Sequence, residues 1–159
     1  MRQRGVTLIQ MMFALAIAAL LTQLGMPAYA RLSNDLHRAA AARDLAQALR
    51  SARSHALLQS QPVIVRPLEN DWGKGWLVQL EHNQQTLREH RLTRSMRIIE
   101  NTKGQVKFSA LGMPVGQLGA TLEVCESSPA SNKYQVVISS EGRVDLRTVK
   151  VANPLCAGH

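Results

Sequence analysis

The stretch "VTLIQMMFALAIAALLTQLGMPAYA", residues 6–30, holds no charged side chain over 25 positions. A helix rises 1.5 Å per residue, so about 20 apolar residues cross a hydrocarbon core of about 30 Å. A run of this length reads as a membrane-spanning helix, and it decides where the remaining residues must lie. Arg2 and Arg4 precede it with no acid beside them, which by the positive-inside rule holds that end in the cytoplasm and exports the rest. A cleaved secretory signal is the competing reading, with Ala28-Tyr29-Ala30 as an A-x-A-like cleavage site. Against it, a signal's apolar region is normally about 7–15 residues, and here helical patterning continues past Ala30 in the same register.

The continuation is "RLSNDLHRAAAARDLAQALRSARSHALLQSQ". Ala41, Leu45, Ala48, Leu49, Ala52 and Ala56 recur at three- and four-residue spacing, one stripe of an amphipathic helix. Arg43 and Arg50 flank it, and its small side chains point to close packing on a sheet. Met1–Gln61 is therefore expected to be one very long helix, half in lipid and half on a globular domain of residues 31–159. Pro27 is expected to kink it, since proline removes a backbone donor and crowds the preceding turn.

Beyond Gln61 the period changes to two. "PVIVRP", "KGWLVQLE", "QTLREHRL", "MRIIE", "QVKFSA", "ATLEVC", "KYQVVIS" and "RVDLRTV" read as strands, separated by stretches rich in turn formers such as "LENDWG", "ALGMPVGQLG" and "SSEG". A helix followed only by strands predicts an α+β fold with antiparallel pairing.

The net charge is +8, but residues 61–100 contribute +1 and residues 101–159 contribute +2. The globular part is only mildly basic, so charge alone does not make it a nucleic-acid binder. Cys125 and Cys156 form an even pair behind a membrane-directed N-terminus, which points to a disulfide in an oxidising compartment; two unrelated buried thiols are the alternative. His37, His55, His82, His90 and His159 show no metal-ligand spacing, and His82 and His90, in polar surroundings, are expected to be solvated. No enzyme, cofactor or metal reading follows.

"RGVTLIQMMFALAIAALLTQLGMPAY" resembles the N-terminus of type IV prepilins and type II secretion pseudopilins. Gly5 matches the last residue of their basic leader (residues 1–5), Val6-Thr7-Leu8-Ile9 the start of the mature chain, and Pro27 their common kink position. The resemblance implies cleavage after Gly5 by a prepilin peptidase, methylation of the Val6 amine, and residence as a single pass in a bacterial inner membrane. The C-terminal domain would be periplasmic, reaching the cell surface after assembly with other major and minor pilins. Downstream, Trp72, Gly75 and Trp76 with the alanine- and arginine-rich helix end look like the FimT/GspH group. The late Cys, "GR" turn and final Cys point to its type IV pilus side, which implies a minor pilin active in assembly or priming. A GspH-like minor pseudopilin of a type II secretion system is the alternative.

At Gln10 those families usually carry Glu, thought to neutralise a neighbour's N-terminal amine in the membrane. Gln10 is neutral and offers only a hydrogen bond, which fits a subunit of low copy number or, alternatively, a degenerate copy. Some FimT-like pilins bind DNA during natural transformation, through a C-terminal Gly-Arg-x-Arg motif. Here Gly142 and Arg143 match, but Asp145 replaces the final Arg. On a strand Asp145 lies between Arg143 and Arg147 on one face. With Lys133 and Lys150 these arginines compose a candidate patch for double-stranded DNA, weak and sequence-independent; a hairpin with solvated charges is the alternative.

Overall fold

A computed structural model describes residues 7–102, 104–116, 118–125, 134–148 and 154–158. The chain divides into two units, Met1–His37 and Arg38–His159. Helix α1, Leu8–Gln59, contributes to both and runs through Pro27. Proline lacks the N–H that would bond the Gln23 carbonyl. One turn earlier, the Thr22 hydroxyl donates back to the carbonyls of Ala18 and Ala19 at 3.0 and 2.9 Å.

In the first unit every described side chain from Thr7 to Leu32 is exposed, including Leu15, Ile17, Leu20 and Leu21. The most apolar 18-residue window has a mean hydropathy of 1.9 and none of it is buried. That is the composition and length of a membrane span, with no cover supplied by the chain itself.

In the second unit the predicted alanine stripe is inside. Ala41, Leu45, Ala48, Leu49, Ala52 and Ala56 are all buried, as are Ala39, Ala42 and Ala46 of the same helix. Ala42, Leu45, Ala46, Ala48, Leu49, Ala52 and Ala56 share one core with Trp76, Phe108, Leu122 and Ile138 of the strands. Burying each leucine against such a core is worth about 1.5–3 kcal/mol.

The strands are β1 (Val63–Leu68), β2 (Asp71–Leu80), β3 (Thr86–Arg91), β4 (Ile98–Glu100), β5 (Val106–Phe108), β6 (Ala120–Val124), β7 (Tyr134–Ile138) and β8 (Val144–Arg147). They form two four-stranded sheets, ordered β3-β2-β1-β5 and β4-β6-β7-β8. Every ladder among the described residues is antiparallel. The fold is thus α+β as expected, one long N-terminal helix with antiparallel sheets.

Local chemistry explains the joints. Leu68 pairs with Asp71, so Glu69 and Asn70 alone make the β1–β2 turn, with φ of 51° and 59°. Two successive positive φ values match the twist of a tight hairpin. In "DWGKGW" the glycines admit neighbouring backbone: a Cβ at Gly73 would lie 1.7 Å from the Met96 carbonyl oxygen, where the chain crosses between the sheets. Trp72 and Trp76, on either side, point into the core.

Candidate functional site

At the first turn of α1 the Gln10 side chain is occupied by its own chain. Its Oε1 accepts from the Thr7 N–H at 3.1 Å, while the Thr7 carbonyl accepts from the Gln10 and Met11 N–H groups at 3.0 and 3.3 Å. Thr-x-x-Gln is one half of a capping box, in which the residue three places on reaches back to the cap's N–H. An amide oxygen serves this bond as a carboxylate would, but brings no charge to a buried amine. Gly5 and Val6 lie outside the described residues.

The second region is the β7–β8 hairpin, which carries the "GR" turn. Ser139 closes it, donating its N–H to the Arg143 carbonyl at 2.9 Å and accepting from the Arg143 N–H on its hydroxyl at 3.1 Å. Gly142 has a φ of 79°, and a Cβ there would lie 2.0 Å from the Gly112 carbonyl oxygen. The glycine is needed for conformation and for this close approach together. Two helix arginines fix the turn from below. Arg53 donates to the carbonyls of Gly112 (3.0 Å) and Glu141 (2.9 Å), and Arg50 to that of Val144 (3.0 Å). Arg50 flanks the alanine stripe in sequence, whereas no local spacing marks Arg53, whose two partners are 59 and 88 residues away.

Among the described residues, one arginine of the candidate cationic patch is engaged by an acid. Arg143 Nε pairs with Asp145 Oδ2 at 3.0 Å, so the substituted acid neutralises the first arginine of the motif. Arg147, at the end of β8, is exposed and has no ion pair among the described residues. Lys133 and Lys150 lie outside them.

Cys125 and Cys156 are disulfide-bonded, with their Cα atoms 5.7 Å apart. Beside them is a clasp that sequence did not reveal. The fully buried Glu123 accepts from Gln135 Nε2 at 3.0 Å and from the Leu155 N–H at 2.6 Å. A buried carboxyl group bound to the backbone next to Cys156 tethers the C-terminal turn a second time.

One expectation is corrected. His82 is exposed, but His90 is half-buried, stacked on Trp76 with ring centroids 4.6 Å apart and facing Asp44 at 3.8 Å. Strand pairing sets Trp76 directly opposite His90, a neighbour that the flanking Glu89 and Arg91 conceal in sequence.

Residues 41–142, more than half of the chain, match the family model described as "Type II transport protein GspH". The fold is similar to that of the type IV minor pilin FimU of Pseudomonas aeruginosa, in two crystal forms. In one the TM-score is 0.62 at 25% identity, covering 73% of this chain and 92% of that chain. In the other it is 0.60 at 26% identity, covering 68% and 90%. No curated protein matches the sequence. The family consists of structural subunits rather than enzymes, and the long helix, the two sheets and the matched residues lead to one conclusion: the chain belongs to the GspH family of minor pilins and pseudopilins.

Proposed function

We propose that the chain is a minor subunit of a type IV pilus, inserted in the bacterial inner membrane through residues 6–30 with Arg2 and Arg4 in the cytoplasm. Prepilin peptidase cleaves after Gly5, the Val6 amine is methylated, and the subunit joins major and minor pilins through α1 to help prime or build the filament. The observation that carries this reading is the first unit: large apolar side chains from Leu8 to Leu36 are exposed on a helix whose continuation is buried in the head. Such a surface is stable only in lipid or against neighbouring helices. The type IV side is supported by the likeness to FimU over 92% of that chain. The capping bond of Gln10 supports a low-copy role, because its polar group is satisfied without a neighbour's amine.

The test is N-terminal analysis of the protein extracted from membranes. A methylated start at Val6 is expected; a start at Arg31 overturns the reading, since the apolar shaft would be gone. Deleting the gene should reduce piliation and leave protein secretion intact. The reverse result assigns the chain to a secretion system as a minor pseudopilin.

DNA binding is the second reading, and the exposed Arg147 is what favours it. With Arg143 held by Asp145, affinity for phosphates is expected to be weak and lost early as salt rises. A mobility-shift titration at low salt checks it, with Arg147→Ala abolishing any shift and Asp145→Asn strengthening it. No shift in either the parent or Asp145→Asn removes a transformation role.

A further inference from the structure

Cys156 stands well beyond Arg147, the last residue of β8, so no strand pairing places its thiol. Cys125, by contrast, directly follows β6, and its N–H bonds the Arg97 carbonyl at 2.8 Å. One half of the disulfide is thus fixed by the sheet. The other half is carried by the C-terminal turn, Leu155–Gly158, which lies against β4 and β6. Among the described residues two bonds fasten that turn to the sheet: the disulfide, and the Leu155 N–H on Glu123 Oε2 at 2.6 Å.

Glu123 occupies a place where an apolar side chain would give better cover. On β6 the side chains of Ala120, Leu122 and Val124 enter the core, so Glu123 points to the opposite face of the sheet. It is fully buried there, opposite Gln135 on β7, whose Nε2 donates to the same Oε2 at 3.0 Å. Its Oε1 is buried with no hydrogen-bond partner among the described residues. Burying a carboxyl with one oxygen unpartnered costs more than burying a leucine or methionine of similar size. Cover alone therefore does not account for a glutamate here, whereas the need for an acceptor to hold a backbone N–H does.

Leu155 immediately precedes Cys156, and Glu123 lies two residues before Cys125, so the two fastenings sit side by side. We infer that Glu123 is the first latch of the C-terminal turn: it seats Leu155 while the cysteines are still reduced and so presents Cys156 to Cys125 for oxidation. A disulfide-bearing oxidant then completes the pair. With glutathione disulfide, one cysteine thiolate attacks it, forming a mixed disulfide and releasing one glutathione thiolate. The second cysteine thiolate attacks the protein sulfur of that mixed disulfide, forms the Cys125–Cys156 bond and expels the other glutathione. The two protons given up by the cysteines are taken up by the two glutathione thiolates. The latch acts on the second, intramolecular step, whose ease depends on how the reacting groups are held. Flexibly linked groups meet at an effective concentration on the order of millimolar, and a seated turn exceeds it. The same bond keeps the turn closed when the disulfide is opened, so reduction loosens the C-terminus without releasing it.

The test uses the full chain in detergent, equilibrated in mixtures of reduced and oxidised glutathione, with free thiols counted by alkylation and mass spectrometry. Glu123→Ala is expected to lower the effective concentration of the two thiols at least about tenfold, the factor carried by one hydrogen bond. Glu123→Gln keeps a carbonyl acceptor and is expected to stay nearer the parent than Glu123→Ala. Arg53→Ala removes bonds of the β7–β8 turn instead and is expected to leave the value unchanged. No fall in Glu123→Ala, an equal fall in Arg53→Ala, or a Glu123→Gln fall as large as that of Glu123→Ala overturns the proposal. Should Glu123→Ala not fold, the parent decides. In the chain reduced with dithiothreitol, the Leu155 amide, followed by NMR, is expected to exchange its hydrogen at least about tenfold more slowly than in an unstructured peptide. Exchange at the peptide's rate overturns the proposal, since the disulfide alone would then hold the turn.

Discussion

From Leu8 to His37, helix α1 turns leucine, isoleucine, methionine and phenylalanine outward, whereas from Arg38 to Gln59 its buried positions are alanines with only Leu45 and Leu49 among them. Both stretches are apolar, but size separates them. Small residues let a helix backbone approach a sheet closely, so the head end of α1 is covered by its own chain. Large residues left uncovered require an external apolar medium, lipid or other helices. Hydrophobicity alone identifies neither role; side-chain volume together with the chain's own cover identifies both.

The same substitution in each half gives the sharpest contrast. Leu45→Ala opens a cavity in the core, where Leu45 is fully buried, and should lower head stability by about 2–5 kcal/mol. Leu15→Ala removes the same atoms from an exposed position and should change it by less than about 0.5 kcal/mol. The two tryptophans, Trp72 and Trp76, are both buried in the head. Their fluorescence during denaturant unfolding of the full chain in detergent therefore reports the head selectively. Equal losses in both variants would break the comparison.

Arginines on the helix should divide likewise. Arg53 donates to two carbonyls, and hydrogen bonds from a charged group are worth about 1.5–3 kcal/mol. Arg53→Ala should cost about that much, Arg43→Ala at an exposed position under about 0.5 kcal/mol, by the same fluorescence measurement. Glycines offer a third pair. Gly142→Ala places a methyl 2.0 Å from the Gly112 oxygen at a φ of 79°, a strain on the order of 1–3 kcal/mol. Gly25 has nothing within 4 Å, so Gly25→Ala should stabilise the helix by up to about 1 kcal/mol, seen as higher ellipticity at 222 nm. Destabilisation by both alanines would mean that the shaft is packed like the head.

These pairs also mark what sequence could reveal. The shaft, the alanine stripe and the eight strands were legible because periods of 3.6 and 2 are local signals, and the cysteine pair because parity and compartment are properties of the whole chain. Arg53 was not, since its acceptors are 59 and 88 residues away and no local spacing encodes them. His90 was misread because a strand's neighbours across the ladder, here Trp76, are invisible without the register. The Glu123 clasp needed the position of Leu155, and the turn formers of "ALGMPVGQLG" do not disclose that Leu111 and Leu118 stay outside. Of the candidate site, Gly142 and Arg143 were legible as a motif, but the pairing of Arg143 with Asp145 was one of two open options.

The smallest effect tests whether partial burial at the edge of the head penalises charge. Burial raises the Glu100 carboxyl above its ordinary pKa, partly offset by the Gly104 N–H, which bonds Glu100 Oε1 at 3.1 Å. Oε2 is buried without a hydrogen-bond partner. A raised folded-state pKa means that the native state holds its proton where the unfolded chain has released it. Stability is therefore lost as pH climbs from near the unfolded value of 4.5 through the folded one, and the loss persists at neutral pH. Glu100→Gln keeps the shape, removes the charge and supplies N–H donors. It should raise the melting temperature at pH 7 by about 1–4 °C, and the gain should shrink as pH falls below 4.5, where the parent is protonated in both states. A gain independent of pH would trace the effect to packing, and a loss at pH 7 would mean that the carboxylate is held by an interaction stronger than its burial.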